Sequence, residues 1–193
     1  MAAIDSRQAG VLQPTETTGA DAPELSLRTW LSSLTGMPLD KIRRRWLRKP
    51  GTMPAIGEDW AALGVTTVKT HGTPYQRATK GVIDVAESGT VTRESHQTLT
   101  VMVSFYGDHA AYLSDLFRES SQLGQNASAL AKDGLTLQGV VSEVTHVPDL
   151  LNEQWVDRYD VVFDVGRKVA RTYGVRDLAS VGRIELKTEK GVL

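Results

Sequence analysis

Histidines and carboxylates are the side chains of this chain that could carry out catalysis or bind a metal ion. Four histidines occur, at His71, His96, His109 and His146. None has the spacing of a metal ligand to a second histidine or to a carboxylate pair on one element. Asp108 and His109 are adjacent, so on a helix their side chains point in different directions. We therefore predict no catalytic residues, no metal site and no cofactor, and hence no enzyme.

The sequence excludes several other kinds of site. It has no cysteine, which rules out disulfides, zinc–thiolate sites and cysteine nucleophiles. Neither a nucleophile elbow nor a Walker-type phosphate loop is present. The sequence has no apolar run that is long enough to predict a membrane span, and its N-terminus lacks the apolar core of a secretory signal. A triad that the fold assembles from separate serine, histidine and aspartate residues is left open as an enzymatic alternative.

The densest positive charge lies in the segment 42–49, which reads IRRRWLRK and contains Arg43, Arg44, Arg45 and Arg48. Clustered arginines can bind phosphates, because they displace the counterions of a nucleic acid. The alternative is a set of solvated arginines, or arginines paired with carboxylates of a neighbouring subunit. The whole chain has a net charge of −1, which argues against a general nucleic-acid-binding surface.

A second charged set lies on the alternating segment 155–169. Arg158, Asp160 and Asp164 share one face of this predicted strand, because their spacings are even. The face is either solvated or meets an oppositely charged patch, such as Arg43–Arg48, on the next subunit. The opposite face is apolar and is predicted to lie in the core; it carries Trp155, Tyr159, Val161, Phe163, Val165 and Val169.

The strand predicted over residues 95–106 also has two faces. One is apolar, with Leu99, Val101, Val103 and Phe105, and the other is polar. Gly107 ends this strand, and Asp108 is placed to cap a helix that stops near Gly124.

An earlier amphipathic helix follows Asp21 and Glu24, which have capping-box spacing, and stops at Gly36 and Pro38. Its apolar stripe consists of Leu27, Trp30, Leu31 and Leu34.

The remaining elements complete a mixed pattern of helices and strands. Segments 50–63 and 72–80 are predicted loops, and residues 135–147 a strand that Pro148 ends. Helix, strands, helix and strands in this order predict an α+β fold with a mostly antiparallel β-sheet and helices packed on one face. We predict a flexible N-terminal arm over residues 1–20 and a single domain over residues 21–193.

Four stretches resemble a known family. They are LRTWLSSLTG, GEDWAALGV, HQTLTVMVSFYGDHA and NEQWVDRYDVVFDVGRKV, in that order. Together they are similar to bacteriophage neck or tail terminator proteins over about residues 25–188. The resemblance is one of pattern and short signatures, and the arm lies outside it.

The resemblance implies a structural virion protein with a tail-terminator-like α+β fold. Such subunits form a ring, commonly a hexamer, that caps the tail tube and joins it to the head connector. The partners implied are other copies of the chain, the tail-tube protein and the head-connector protein, with genomic DNA passing through the lumen without sequence-specific recognition. The protein would be assembled in the host cytoplasm and reside in the virion neck.

Other roles remain open on the sequence alone. A tail-tube or head-completion protein also forms rings of α+β subunits. A nucleic-acid-binding module using the arginine segment is a further alternative.

Overall fold

The structure is a computed structural model that describes residues 10–46, 52–79, 89–151 and 153–175. These residues contain seven strands and three α-helices. In chain order the elements are β1 (Glu16–Thr18), α1 (Glu24–Thr35), β2 (Ile42–Arg44), β3 (Trp60–Thr79), β4 (Gly89–Tyr106), α2 (Ala110–Ser121), α3 (Gly124–Ser128), β5 (Leu135–Gln138), β6 (Thr145–Leu151) and β7 (Gln154–Val175). Short 3₁₀ helices lie at Leu39–Lys41 and Ala129–Asp133. No helix within these ranges is both long and apolar enough to cross a membrane.

The strands form one mixed, mostly antiparallel sheet. Their order is β1-β7-β4-β3-β2, and both β5 and β6 also pair with β7. Strand β7 runs antiparallel to β5 and β6, with Leu150 opposite Trp155. The short strand β2 runs parallel to β3, with Ile42 opposite Ala61. Together with the helices this sheet confirms the predicted α+β fold class.

The chain packs as two compact units. The larger unit comprises Thr18–Tyr75 and Glu94–Ala170 and contains all three helices. The described part of the smaller unit consists of residues 10–17, 76–79, 89–93 and 171–175. The single domain predicted over residues 21–193 stays a prediction, because segments 47–51, 80–88 and 176–193 and residue 152 lie outside the described residues.

The described part of the predicted arm begins at Gly10 and includes β1. The three side chains of β1 are exposed, and its backbone pairs with β7. The backbone N–H and the hydroxyl of Thr15 both donate to the carbonyl of Thr172, at 2.8 and 3.1 Å. Residues 1–9 lie outside the described residues, and the flexibility of the arm stays a prediction.

The core lies between the helices and one face of the sheet in the larger unit. The apolar face predicted for β4 is buried there, because alternate side chains of a strand point to the same side. Trp30 of α1 contacts Phe117 of α2 edge-on, with ring centroids 5.5 Å apart. Phe163 of β7 lies 5.5 Å from Phe117 and 5.9 Å from Trp30. Helices therefore cover one face of the sheet, as the pattern predicted.

The ends of α1 agree only in part with the signals in the sequence. Gly36 terminates the helix in the left-handed region, with φ of 74°, and its N–H donates to the carbonyl of Ser32. The predicted capping box is wrong, because the N-cap is Pro23 and no side chain caps the helix. Asp21 precedes that N-cap by two residues, and so the helix begins too late for Asp21 to serve as its cap.

Pairing between distant strands overrides the predicted loop 72–80 and the end of the predicted loop 50–63, because β3 extends from Trp60 to Thr79 beside β4. Residues 52–59 carry no helix or strand, in agreement with the loop prediction. The predicted strand 135–147 is correct only at its two ends, since β5 ends at Gln138 and β6 begins at Thr145. Pro148 lies inside β6 opposite Asp157. Proline is tolerated there because the partner of β6 among the described strands is β7 alone.

Replacing Phe163 with alanine tests the core. Phe163 is buried between Trp30 and Phe117, so Phe163→Ala should lower the free energy of unfolding by about 3–5 kcal/mol. Urea denaturation followed by circular dichroism measures the change. The matched control is Trp155→Ala on the same strand, which should change stability by less than about 0.5 kcal/mol because the ring is exposed. Equal stability of the two variants would contradict this core.

Deleting residues 1–20 tests the arm. The deletion removes an exposed three-residue strand and no buried core side chain of the described residues. We expect the melting temperature to fall by no more than several degrees, since about 1 kcal/mol shifts a domain of this size by roughly 2–4 °C. Differential scanning calorimetry measures it. A larger fall would mean that the arm packs in the core, whereas loss of assembly at an unchanged melting temperature would identify an interface arm.

Candidate interaction surfaces

A buried carboxylate organises the face of the sheet opposite the helices. Asp160 is only 5% exposed, and its Oδ1 accepts a hydrogen bond from the hydroxyl of Ser104 on β4, at 2.5 Å. That hydroxyl in turn accepts from Nη1 of Arg45, also at 2.5 Å. Arg158 places Nη2 3.1 Å from Oδ2 of Asp160 and donates from Nη1 to Asp149 at 2.8 Å. We call these five residues the Asp160 network.

The charges in this network balance one another. Burial alone would lower the pKa of Arg158, but the carboxylates of Asp160 and Asp149 outweigh it and the pKa is raised. The guanidinium is therefore held in its charged form. Buried charges are tolerated when they are paired and hydrogen-bonded, and Asp160 meets both conditions.

The network brings three of the seven predicted interface residues together inside one subunit. Arg158 pairs with Asp160 directly, and Arg45 is linked to Asp160 through Ser104. The interpretation of the charged strand face as solvated is wrong for Asp160, because its carboxylate is buried against Ser104 of β4 and Arg158. Sequence reasoning placed the three charges on one face, and the neighbouring strand that buries one of them is not visible in the local pattern.

The other predicted interface residues lie elsewhere. Asp164 accepts a hydrogen bond from the hydroxyl of Thr100 at 2.8 Å. Arg43 donates to the carbonyl of Thr52, and its guanidinium lies 5.9 Å from the centre of the Trp60 ring. Arg48 lies outside the described residues. Whether any of the seven meets another subunit stays a prediction.

Arg44 belongs to an electropositive edge of the sheet on β2. It is exposed, and it approaches Arg28 of α1 closely enough to affect the titration of that residue. The pKa of Arg28 is lowered, first by burial and then by the charge of Arg44. Arg28 donates to the backbone carbonyls of Ile42 and Leu39, at 2.5 and 2.8 Å. Among the described residues no carboxylate forms an ion pair with Arg28, Arg43 or Arg44.

A cleft of about 320 Å³ lies at the end of the sheet where α2 begins. Four aromatic side chains line it together with the loop 53–58; they are Trp60, Tyr106, Trp155 and Tyr159. We call it the aromatic cleft. Trp60 stacks on Tyr106 with ring centroids 4.1 Å apart, and burial raises the pKa of Tyr106. Trp155 is 73% exposed, so its predicted place in the core is wrong. Two further exposed apolar side chains, Met53 and Ile56, extend this surface.

The lining of the aromatic cleft is acidic. Glu58, Asp108 and Asp157 are among its residues, and the described lining contains no lysine, arginine or histidine. A hydrogen bond from Lys41 is the largest cause of the lowered pKa of Glu58. Asp157 lies 2.9 Å from Nε2 of His146, and 69% of its side chain is exposed. The cleft thus combines aromatic rings with negative charge, a surface that suits a cationic and apolar partner segment.

The start of α2 forms one lip of the cleft. Its N-cap is His109 without a side-chain cap, so the predicted capping role of Asp108 is wrong. Asp59 binds the start of the helix instead. Its Oδ1 accepts a hydrogen bond from the backbone N–H of His109 at 2.9 Å, and its Oδ2 lies 2.8 Å from Nδ1 of the same histidine. Gly107, with φ of 106°, lets the chain pass so close that a Cβ there would lie 2.5 Å from Asp59.

Metal and catalytic sites find no support in the part of the chain that the structure describes. No group of three or more histidine, aspartate or glutamate side chains in that part could hold a metal ion. His71 contacts the hydroxyl of Thr98 at 2.6 Å, whereas His109 and His146 each pair with one carboxylate. Both of these pairs are substantially exposed to solvent.

A family model described as phage neck terminator protein matches residues 25–191. The chain belongs to the phage neck terminator protein family. The match spans every described element from α1 to the end of β7 except the first residue of α1. No curated protein matches the chain.

Family membership shows which broad class of protein the neck terminator is. Proteins of this family are structural, so the chain is not an enzyme, as the sequence predicted. It is a component of the phage neck and tail, and its partners are other neck and tail components. The predicted terminator resemblance is therefore confirmed.

Substitution of Asp160 in the neck terminator tests the buried network. Asp160→Asn removes the charge that faces Arg158, so we expect the free energy of unfolding to fall by about 1–3 kcal/mol. The matched control is Asp164→Asn on the same strand face. Asp164 is only partly buried and accepts one hydrogen bond in the described structure, so less than about 1 kcal/mol should be lost. Urea titrations of both variants measure the difference, and equal losses would show that burial of Asp160 contributes nothing.

Proposed function

We propose that this neck terminator assembles into a closed ring that caps the tail tube and joins it to the head connector. Membership of the phage neck terminator family is the observation that carries the proposal. Six copies per ring is the number that the family resemblance implies. The ring would leave a lumen through which genomic DNA passes without sequence-specific contacts.

The arrangement of the sheet supports a ring. A cyclic assembly needs two different patches on each subunit that meet head to tail. Strand β2 ends the sheet on one side, and β6 lies outside β7 on the other. The exposed Arg44 lies on β2, whereas the exposed Trp155 and Asp157 lie on β7, at the far end of the aromatic cleft. The two outer strands therefore present different chemistry, as a head-to-tail contact requires.

A terminator differs from a tail-tube protein in how far it polymerises. The tube protein stacks ring upon ring, whereas a terminator adds one ring to the end of a finished tube. The proposal therefore requires single rings and end binding, and these two properties separate the terminator role from a tail-tube role.

Particle mass and imaging test the proposal. Purified protein should form an oligomer by light scattering, or remain monomeric until tail tubes are added and then form one ring at the tube end in electron micrographs. Treatment with a chelator should leave the assembly intact, because no metal-ligand set occurs in the described residues. A monomer that binds neither tubes nor connectors would overturn the proposal, and long stacks of rings would assign the chain to the tube instead.

A further inference from the structure

We propose that the aromatic cleft of one neck terminator subunit receives the basic β2 edge of the next copy. The inference rests on the proposed ring and names the two surfaces that close it. Arg44 and Trp46 supply the inserted side, and Trp155 and Asp157 the receiving side. The occupant of the cleft is thus a second copy of this chain.

The inserted side presents an aromatic ring beside an arginine that forms no ion pair within the described residues. Trp46 is 60% exposed although one edge of its ring packs against Gly64, where an added Cβ would lie 2.6 Å from the ring. This packing holds the indole in place and leaves most of it free for contact. Arg44, two residues earlier, is exposed and lies near Arg28, and the two positive charges repel each other. A carboxylate from outside the subunit would relieve that repulsion.

The receiving side has the complementary character. Trp155 and Leu150 face each other across β7 and β6, and both are largely exposed. Asp157 lies two residues beyond Trp155, with an exposed carboxylate. Exposed aromatic and apolar side chains that surround a cleft are typical of protein–protein contacts. Aromatic faces beside carboxylates also attract arginine, through cation–π contact and ion pairing.

Arg44 and the β7 end of the aromatic cleft lie apart within one subunit. In the order β2-β3-β4-β7, three strand spacings separate β2 from β7, which amounts to roughly 14 Å at about 4.8 Å per spacing. The other end of the cleft is already occupied by the same subunit, because Arg43 lies 5.9 Å from the Trp60 ring. The surface left for Arg44 of another copy is therefore the one formed by Trp155 and Asp157. Because the inserted and receiving surfaces differ, the contact is heterologous and closes into a ring when the rotation between copies allows it.

Charge reversal with complementation tests this contact. Arg44→Glu and Asp157→Lys should each weaken self-association of the full chain by at least roughly tenfold, because each places like charges opposite one another. A one-to-one mixture of the two variants should regain assembly, because every contact in an alternating ring then pairs opposite charges. Analytical ultracentrifugation at low and high salt measures both effects, and the parent assembly should weaken as salt rises.

The aromatic contact has its own test. Trp155→Ala should weaken self-association by roughly 30-fold while leaving the melting temperature of the subunit unchanged, because an exposed tryptophan at the centre of an interface carries much of its affinity.

Matched controls are available on surfaces away from both sides. Arg77→Glu on β3 and Glu119→Lys on α2 reverse exposed charges and should leave association unchanged.

The outcomes separate this contact from the ring itself. A parent that forms rings while Arg44→Glu and Asp157→Lys still assemble normally would overturn the contact and leave the proposed function standing. Loss of DNA binding by Arg44→Glu with unchanged self-association would assign the basic edge to nucleic acid, and would also overturn it. A parent that never assembles, even on tail tubes, would overturn both proposals.

Discussion

The alternation of side chains along β7 is the constraint on which the rest of the larger unit depends. From Asp160 onward, one residue faces the helices and the next faces away, so a single strand supplies both sides of the sheet. Val161, Phe163 and Val165 anchor α1 and α2 through the aromatic cluster. Asp160 on the opposite side joins β7 to β4 through Ser104. The same strand pairs with β1, β4, β5 and β6, so most of the sheet is built against it.

Local patterns in the sequence predict the parts of the fold that local physics determines. The apolar stripe from Leu27 to Leu34 forms α1, and Gly36 ends it where a left-handed residue is needed. The alternation from Leu99 to Phe105 forms the buried face of β4. Each of these signals lies within a few residues of the structure that it specifies, and so the sequence alone reveals it.

The candidate surfaces depend on contacts between distant residues, which the sequence does not display. Asp160 and Asp164 are both aspartates on the same face of β7, so the sequence does not distinguish them. Only Asp160 contacts Ser104, which binds Arg45, and pairs with Arg158. Trp155 continues the alternation of the core residues but lies near the start of β7, opposite the exposed Leu150. Asp59 serves the end of α2 from 50 residues away in the chain. Pairing partners of this kind become visible only when the fold has placed the strands.

The buried carboxylate of Asp160 has a consequence for how the strands can align. A shift of β7 by one residue would exchange its two faces, because side chains alternate with a period of two. Asp160 would then enter the cluster around Phe117 together with Arg158, because the two share a face of β7, and the pair would lose Ser104 of β4. Phe163 would face the polar side. Two charged groups in an apolar interior with unfilled hydrogen bonds are strongly disfavoured. The buried charge therefore disfavours the register of β7 that is shifted by one residue, and makes the observed register much more stable by comparison.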